Sequence, residues 1–489
     1  MKNATSGRRG SILGNFLYSS LTTLLNVLVP LATYPYLARV LGPDNMGRLG
    51  VAGSFANYFI VAAGLGFATY GVRSIAAARR DRTDLNRRST ELFVIAAAAD
   101  LLASIAYFAA ILAVPRYRED FGLFALFGVT VVATPAAIDW YFRGIEEFRF
   151  IGLRNAAIQI AYVAALFAVV HRPEDTTAYA GLLAAVAVAG AAANLWTARR
   201  YASLETKGLR PRSHLAPMGV FALLSFAITA YTNLDFLFLG LVSPSREAGL
   251  YSISLRLVRM VTTVTATLSG VLLPRLSLLA GSDEEEFKRI IKTSASAILL
   301  FSLPAAAGVF AVSEDLALLF GGSLFSESAT SLRILAAMIP VVACSNFLQM
   351  QFLIPRGRER ALLVSFGVGL AVTGAAMALL VKPYGQIGAA WGMLAGEAAV
   401  LAAQAFLCGR AELRSVVDPR RLAGYVLGSV ACGGGATLPR AFMDAGPARL
   451  ATSVFAGCLL YSAFLFAVRE PLAAELSGRI LSRRGKGRA

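Results

Sequence analysis

The feature that most constrains this chain is a succession of apolar runs, each about the 17–25 residues a helix needs to cross a hydrocarbon core. They fall near residues 11–37, 49–70, 91–114, 121–141, 151–170, 178–198, 217–242, 249–274, 293–312, 332–354, 361–381, 387–407, 422–438 and 448–468. Each is too long and too continuously apolar for a barrel strand, which alternates over about ten residues. Helices follow, because in lipid a backbone must satisfy its own N–H and C=O groups. Only 15% of the 489 residues are charged, against roughly a quarter in a soluble domain. The expected fold class is therefore an all-α integral membrane protein of about fourteen transmembrane helices. The opening stretch, with Lys2, Arg8 and Arg9 before it, reads as an uncleaved first span, since it lacks a clear small-x-small cleavage site.

The basic residues give the orientation. The chain carries a net charge of +17, but its Arg and Lys cluster between the apolar runs rather than along one amphipathic face. That distribution is membrane topology, not nucleic-acid binding. With the N-terminus inside, the inside segments hold Arg79, Arg80, Arg82, Arg87, Arg88, Arg199, Arg200, Arg210, Arg212, Arg356, Arg358, Arg360, Arg420 and Arg421, and the tail adds Arg483, Arg484, Lys486 and Arg488. Roughly 34 of the 46 Lys and Arg fall inside, a bias that puts both termini in the cytoplasm.

A repeat divides the chain. Leu41-Gly42-Pro43 through Gly47-Arg48-Leu49 joins the first two spans, and Val242-Ser243-Pro244 through Gly249-Leu250 joins the seventh and eighth. The same short outside turn at matching span number marks two pseudo-symmetric six-helix bundles around a central cavity. The expected organisation is an N-terminal bundle (1–198), a cytoplasmic linker (199–216), a C-terminal bundle (217–408), two additional helices (409–468) and a basic tail (469–489). Pro30, Pro35, Pro135, Pro304 and Pro340 are expected to interrupt their helices.

Charge inside a span is costly, roughly 2.5–3.5 kcal/mol at a helix centre. Asp235 stands deep in the seventh span, beside Asn233; Arg256 and Arg259 stand in the eighth, three apart and hence on one helical face. This is the material for a cationic cavity wall that holds an anionic group, because the guanidinium fork donates in pairs to phosphate. The bland alternative is a structural Asp–Arg pair that fixes helix register. Glu397 in the twelfth span is a further intramembrane acid; with Asp235 it is the candidate for ion coupling, packing being the alternative. Asn26, Asn57, Asn155, Gln159, Asn194, Asn346, Gln349 and Gln351 read as interhelical hydrogen-bonding groups.

Several classes are disfavoured. His171 and His214 are the only histidines and are placed in loops; Cys344, Cys408, Cys432 and Cys458 form no CxxC pair. A metal cage or His-centred catalytic site has little material. No phosphate-binding loop of the G-x-x-x-x-G-K-[ST] type occurs, and no loop is long enough for a catalytic domain. No cofactor, metal or catalytic residue is expected, and the chain does not read as an enzyme.

Four motifs carry a resemblance. Asp139-Trp140-Tyr141-Phe142-Arg143-Gly144-Ile145-Glu146-Glu147-Phe148 with Ile151 and Arg154-Asn155, then Asn233-Leu234-Asp235, then Asn346 through Pro355 with Gly357 and Glu359, and the turn Leu41-Gly42-Pro43 to Gly47 together resemble bacterial polysaccharide flippases of the Wzx type. The resemblance spans the first twelve helices. It implies the multidrug/oligosaccharidyl-lipid/polysaccharide exporter fold, two six-helix bundles in a V. It implies a polyprenyl-diphosphate-linked oligosaccharide carried from the inner to the outer leaflet of a bacterial inner membrane by alternating access, for O-antigen, capsule or exopolysaccharide synthesis. Arg256, Arg259, Asp235 and Asn233 are the expected substrate-binding residues. Membrane lipids, a polysaccharide polymerase and a chain-length regulator are the implied partners, and nucleic acid is not. One departure is Arg143, where the family commonly has Gln, so Arg143 is not carried over as a functional position. The competing readings are a multidrug or cation exporter, which would want an acidic cavity, a lipid II flippase, and a membrane-embedded glycosyltransferase or polymerase.

Overall fold

The computed structural model describes residues 12–470 apart from 65, 204, 206, 207, 410–415 and 417. The basic tail expected from Arg483 to Arg488, and Lys2, Arg8 and Arg9, lie outside the described residues. Among those described, every regular element is helical: α1 (Ile12–Gly64), α2 (Phe67–Ala78), α3 (Arg82–Ala113), α4 (Pro115–Glu119), α5 (Phe121–Val132), α6 (Asp139–Gly144), α7 (Phe148–Val169), α8 (Thr176–Ala198), α9 (Arg212–Val242), α10 (Ser245–Val271), α11 (Leu273–Leu279), α12 (Glu284–Ala311), α13 (Ser313–Gly321), α14 (Ser328–Ala336), α15 (Met338–Phe347), α16 (Glu359–Cys408), α17 (Pro419–Thr437) and α18 (Pro447–Ala467). Ten helical stretches among the described residues are long and apolar enough to cross a membrane. Two of them bend inside: α1 leaves helical geometry at Gly42 and α16 at Gly385, so each holds two of the expected spans. The expected spans at 249–274 and 422–438 coincide with α10 and α17.

The breaks are not all where proline alone predicts. Pro30 and Pro35 lie inside α1, and Pro304 inside α12, without a break. Two others do end a helix. α5 stops at Val132, and a single 3-10 turn, Thr134–Ala136, carries Pro135 before α6 begins at Asp139; the expected span at 121–141 is therefore discontinuous. Pro340 clashes with the carbonyl four residues earlier, and α14 ends at that residue, Ala336. The first repeated turn is likewise a bend rather than a loop. Gly42 takes φ 74°, ψ 173°, a left-handed φ that only glycine adopts freely, and Pro43 then restarts the helix at a position where its missing N–H costs nothing. The second is a two-residue break, Ser243-Pro244, before α10.

The chain forms two compact units, Met1–Leu237 and Phe238–Ala489. The division falls within α9, whereas the expected linker is 199–216. The reason is local: the first part of α9 is tied to the first unit. His214, on its first turn and only 7% exposed, pairs through Nε2 with Glu91 on α3 (2.8 Å) and through Nδ1 with the Tyr70 hydroxyl on α2 (2.7 Å). Farther along, the Tyr58 hydroxyl donates to the Ala230 carbonyl at 3.2 Å. His214 is thus a buried helix residue, not the loop residue expected; His171 is in a loop.

Each unit has its own core. The first packs Phe67, Ile75, Leu92, Ile95, Trp140 and Phe142, with the Trp140 ring stacked on Phe67 at 5.3 Å. The second packs Leu276, Phe287, Ile291, Phe347, Phe352 and Leu353. Large apolar side chains such as Leu102, Phe406 and Phe455 remain 69–79% exposed, as lipid-facing positions do.

Candidate functional site

The site residues follow from how α10 is held. Ser254 points into the second unit, where its hydroxyl donates to the Ser328 carbonyl (2.8 Å) and meets Ser331 (2.9 Å). Ser331 donates to Gln386, whose own N–H donates to Glu247 near the start of α10 (2.8 Å). This polar ladder binds α10 to α14 and α16 and satisfies hydroxyls that lipid would leave unpaired. Arg256 is two residues beyond Ser254, so it projects roughly from the opposite side of the helix. Arg259 shares that side, and both are half-buried. A third side is apolar: Leu257, Met260 and Val261 line a groove of about 730 Å³, completed by Phe301 and Pro304 of α12 and Tyr461 of α18. One helix thus carries two guanidinium groups on one face and an apolar groove wall on another.

Asp235 is fully buried on α9, its Oδ1 accepting from the Phe236 N–H at 2.8 Å. Asn233 is half-buried and donates to the Thr229 carbonyl (3.1 Å) and the Thr232 hydroxyl (3.2 Å). Both belong to the first unit, Arg256 and Arg259 to the second. Glu397 is half-buried in the later half of α16. Among the described residues no group of three or more His, Cys, Asp or Glu is placed to hold a metal.

Two further arrangements mark the remaining motifs. In the first unit, Arg154, with a side chain 9% exposed, grips both oxygens of Asp139 at 2.8 and 3.1 Å and also donates to Asn155 and Asn194. Asn194 in turn donates to the Ala136 carbonyl at 3.0 Å, a group freed where α5 breaks. The network therefore pins the discontinuity. Behind it lies a cavity of about 320 Å³ bounded by Ala63, Ala96, Thr134, Asp139, Arg143 and Ser225. In the second unit, the segment Leu348–Leu353 is a π-helix, a form that recurs at functional sites. It buries Gln351, which donates to the Ser269 carbonyl of α10 at 3.3 Å. Arg356 then lies 4.1 Å over the Phe352 ring and pairs with Glu284 at 2.9 Å.

Sequence reasoning passed over Asp100, which is 5% exposed near the middle of α3. The signal was present: an ionisable residue inside an apolar run, the same feature that singled out Asp235. The Glu91–His214–Tyr70 cluster had no such signal, because its members are brought together only by folding.

Residues 12–280, more than half the chain, match the polysaccharide biosynthesis protein family. A curated relative from Escherichia coli (strain K12), named "Putative O-antigen transporter", is 25% identical over 415 residues, covering 80% of this chain and 95% of the relative. Among solved structures, the lipid II flippase MurJ in an inward closed conformation aligns with a TM-score of 0.71 at 12% identity, over 93% of this chain and 99% of that one. An inward-facing multidrug resistance MATE transporter of the MOP superfamily aligns at 0.57 and 13% identity, over 82% and 98%. Those two likenesses establish the fold, and the sequence match establishes the kinship: this chain belongs to the polysaccharide biosynthesis protein family and is a multi-pass membrane protein with the all-helical fold of membrane transporters.

Proposed function

We propose that the protein is a flippase that carries a polyprenyl-diphosphate-linked oligosaccharide from the inner to the outer leaflet of a bacterial inner membrane, for surface polysaccharide synthesis. The observation that carries this reading is the division of labour on α10. Arg256 and Arg259 share one half-buried face, suited to a diphosphate that guanidinium forks bind in pairs. Leu257, Met260 and Val261 line an apolar groove on another face of the same helix, suited to a polyprenyl chain. An amphiphile with a charged head and a long apolar tail needs both. The kinship with a polysaccharide biosynthesis family and the O-antigen name of the E. coli relative favour the same substrate class.

In this reading the chain has fourteen spans with both termini in the cytoplasm, and two six-helix bundles alternate access around the head group. The protein moves its cargo without chemical change. Arg256 and Arg259 hold the diphosphate, Asn233 contacts the head group, and Asp235 tunes the cationic face. Asp235 and Glu397 are the ion-coupling acids of that path. Polymerase and chain-length regulator receive the product on the outer side.

The test is replacement of Arg256 by Ala and by Lys in cells whose own gene is removed. Surface polysaccharide should be lost with Arg256→Ala and partly restored with Arg256→Lys, with unchanged protein in the membrane. Wild-type polysaccharide with Arg256→Ala would remove the assignment.

A further inference from the structure

A carboxyl group in the interior of a membrane helix has three ways to exist: paired with a cation, solvated, or protonated. Asp100 is only 5% exposed and has no cation partner among the described residues. Its helix, α3, turns Leu101, Leu102 and Ile105 outward at 59–69% exposure, while Asp100, Ala103, Ser104 and Tyr107 face inward at 8% or less. Asp100 therefore points into the first unit and not at lipid. Oδ2 accepts one long hydrogen bond from the Ser104 hydroxyl at 3.4 Å, and Oδ1 is buried with no hydrogen-bond partner. No salt bridge reaches it among the described residues.

The ionisable groups on the elements packed against α3 do not supply a counter-charge either. On α1, Tyr58 is committed to the Ala230 carbonyl and Arg48 pairs with Asp120; Arg39 and Asp44 flank the Gly42 bend, well before Tyr58 in the helix. On α2, Tyr70 is taken by His214, and Arg73 follows it. α4 contributes Arg116, Tyr117, Arg118 and Glu119, about four to five turns farther along the chain, and α5 and the Thr134–Ala136 turn contain no ionisable side chain. On α3 itself, Glu91 is held by His214, Tyr107 donates to the Phe124 carbonyl at 2.6 Å, and Arg82, Asp84, Arg87 and Arg88 cluster in its first two turns.

A cavity lies on the same side of α3. Ala96, one turn before Asp100 on the same face, lines the 320 Å³ cavity, whose wall is mostly apolar (Ile60, Val61, Phe67, Trp140) and also holds Asp139 and Arg143.

We propose that Asp100 is an exchangeable proton site of the first unit and that its loading and release are coupled to the transport cycle. The chemistry is proton transfer alone: an O–H bond forms on Asp100 as a proton arrives, and the same bond breaks on release. The proton site stands on the geometry of the first unit; only the coupling rests on the transporter reading.

Infrared difference spectra of the purified full-length protein, taken between acidic and alkaline pH, read the site directly. The wild type should show a protonated-carboxyl C=O band that disappears on alkalinisation. Asp100→Asn, close to isosteric, should lack that band, and Asp100→Glu should retain one. An unchanged band in Asp100→Asn overturns the proposal. So does an Asp100-dependent band that persists to the most alkaline pH at which the protein stays folded, which would be a locked structural acid. Loss of the band on adding sodium or potassium at fixed pH would make this a metal-cation site and also overturns it. In cells, Asp100→Asn should lose surface polysaccharide at normal membrane protein level while Asp100→Glu keeps part of it; full polysaccharide with Asp100→Asn overturns the coupling. If Arg256→Ala is silent and the band still titrates, the substrate reading fails and the proton site survives.

Discussion

Replacing Arg154 by Met tests whether the broken helix of the first unit is held by a coupled charge network. Met keeps most of the apolar stem and removes the guanidinium. What is left behind sets the magnitude. Asp139 retains only the Asn194 amide at 3.3 Å, but its side chain is 34% exposed, so water can replace part of what is lost. The cost should therefore fall below the ~3–5 kcal/mol of breaking a fully buried pair, at about 2 kcal/mol. Asp139→Asn is the harsher change, because it strands a cation whose side chain is only 9% exposed; about 3–4 kcal/mol is expected. The two together should cost less than their sum, by about 1–3 kcal/mol, since each single change already removes the shared interaction. Reversible unfolding in mixed detergent and denaturant, followed by tryptophan emission, is the assay, and Trp140 beside Asp139 is a built-in reporter. If the double variant costs the sum of the singles to within about 0.5 kcal/mol, or if Arg154→Met is as severe as Asp139→Asn, then the network does not act as one unit and the argument fails.

Three other outcomes follow from the geometry. Arg449→Leu strands Asp315, whose side chain is 1% exposed, and should cost about 3–5 kcal/mol; Arg48→Leu, from a pair about one-third exposed, should cost no more than about 1 kcal/mol in the same unfolding assay. Gly396→Ala would put a methyl 1.8 Å from the Thr373 hydroxyl, an overpacking worth about 1–3 kcal/mol that Thr373→Ala should relieve; equal unfolding midpoints for the single and double variants would contradict this. Cys408 and Cys432 are buried, so a membrane-permeant maleimide followed by peptide mass analysis should modify them only after unfolding; labelling of either in the folded protein would contradict this.

The helical, membrane-spanning character was legible because lipid leaves so few options: a run of twenty apolar residues folds one way, whatever its neighbours. Bends were less so. Pro30, Pro35 and Pro304 are the same residue type as Pro135, yet of these four Pro135 alone sits at a discontinuity, as Pro340 does in the second unit. Beside Pro135, Asn194 from α8 accepts the task of satisfying the freed Ala136 carbonyl, and no local pattern announces a partner 58 residues away. His214 was misplaced for a similar reason. A lone histidine near Pro211 and Pro217 reads as loop, but Glu91 and Tyr70 give it two buried hydrogen bonds and draw it into the first turn of α9. Of the candidate site, the shared face of Arg256 and Arg259 followed from spacing alone. The apolar groove on the adjoining face of α10 did not, because its other wall comes from α12 and α18.

Two changes of direction in this protein are made by single glycines, Gly42 and Gly385, inside otherwise uninterrupted helices. Around the first, Leu41, Met46 and Leu49 are 2–7% exposed; beyond the second, Gln386 is 5% exposed and Ala389 is fully covered. Side chains such as Asp44 and Tyr384 reach the surface there, but neither bend contains a coil segment, so a protease that needs an extended strand of substrate would find none to seize. Epitope tags inserted at these bends would have to pry apart packed helices, whereas a transporter with long connecting loops would tolerate them.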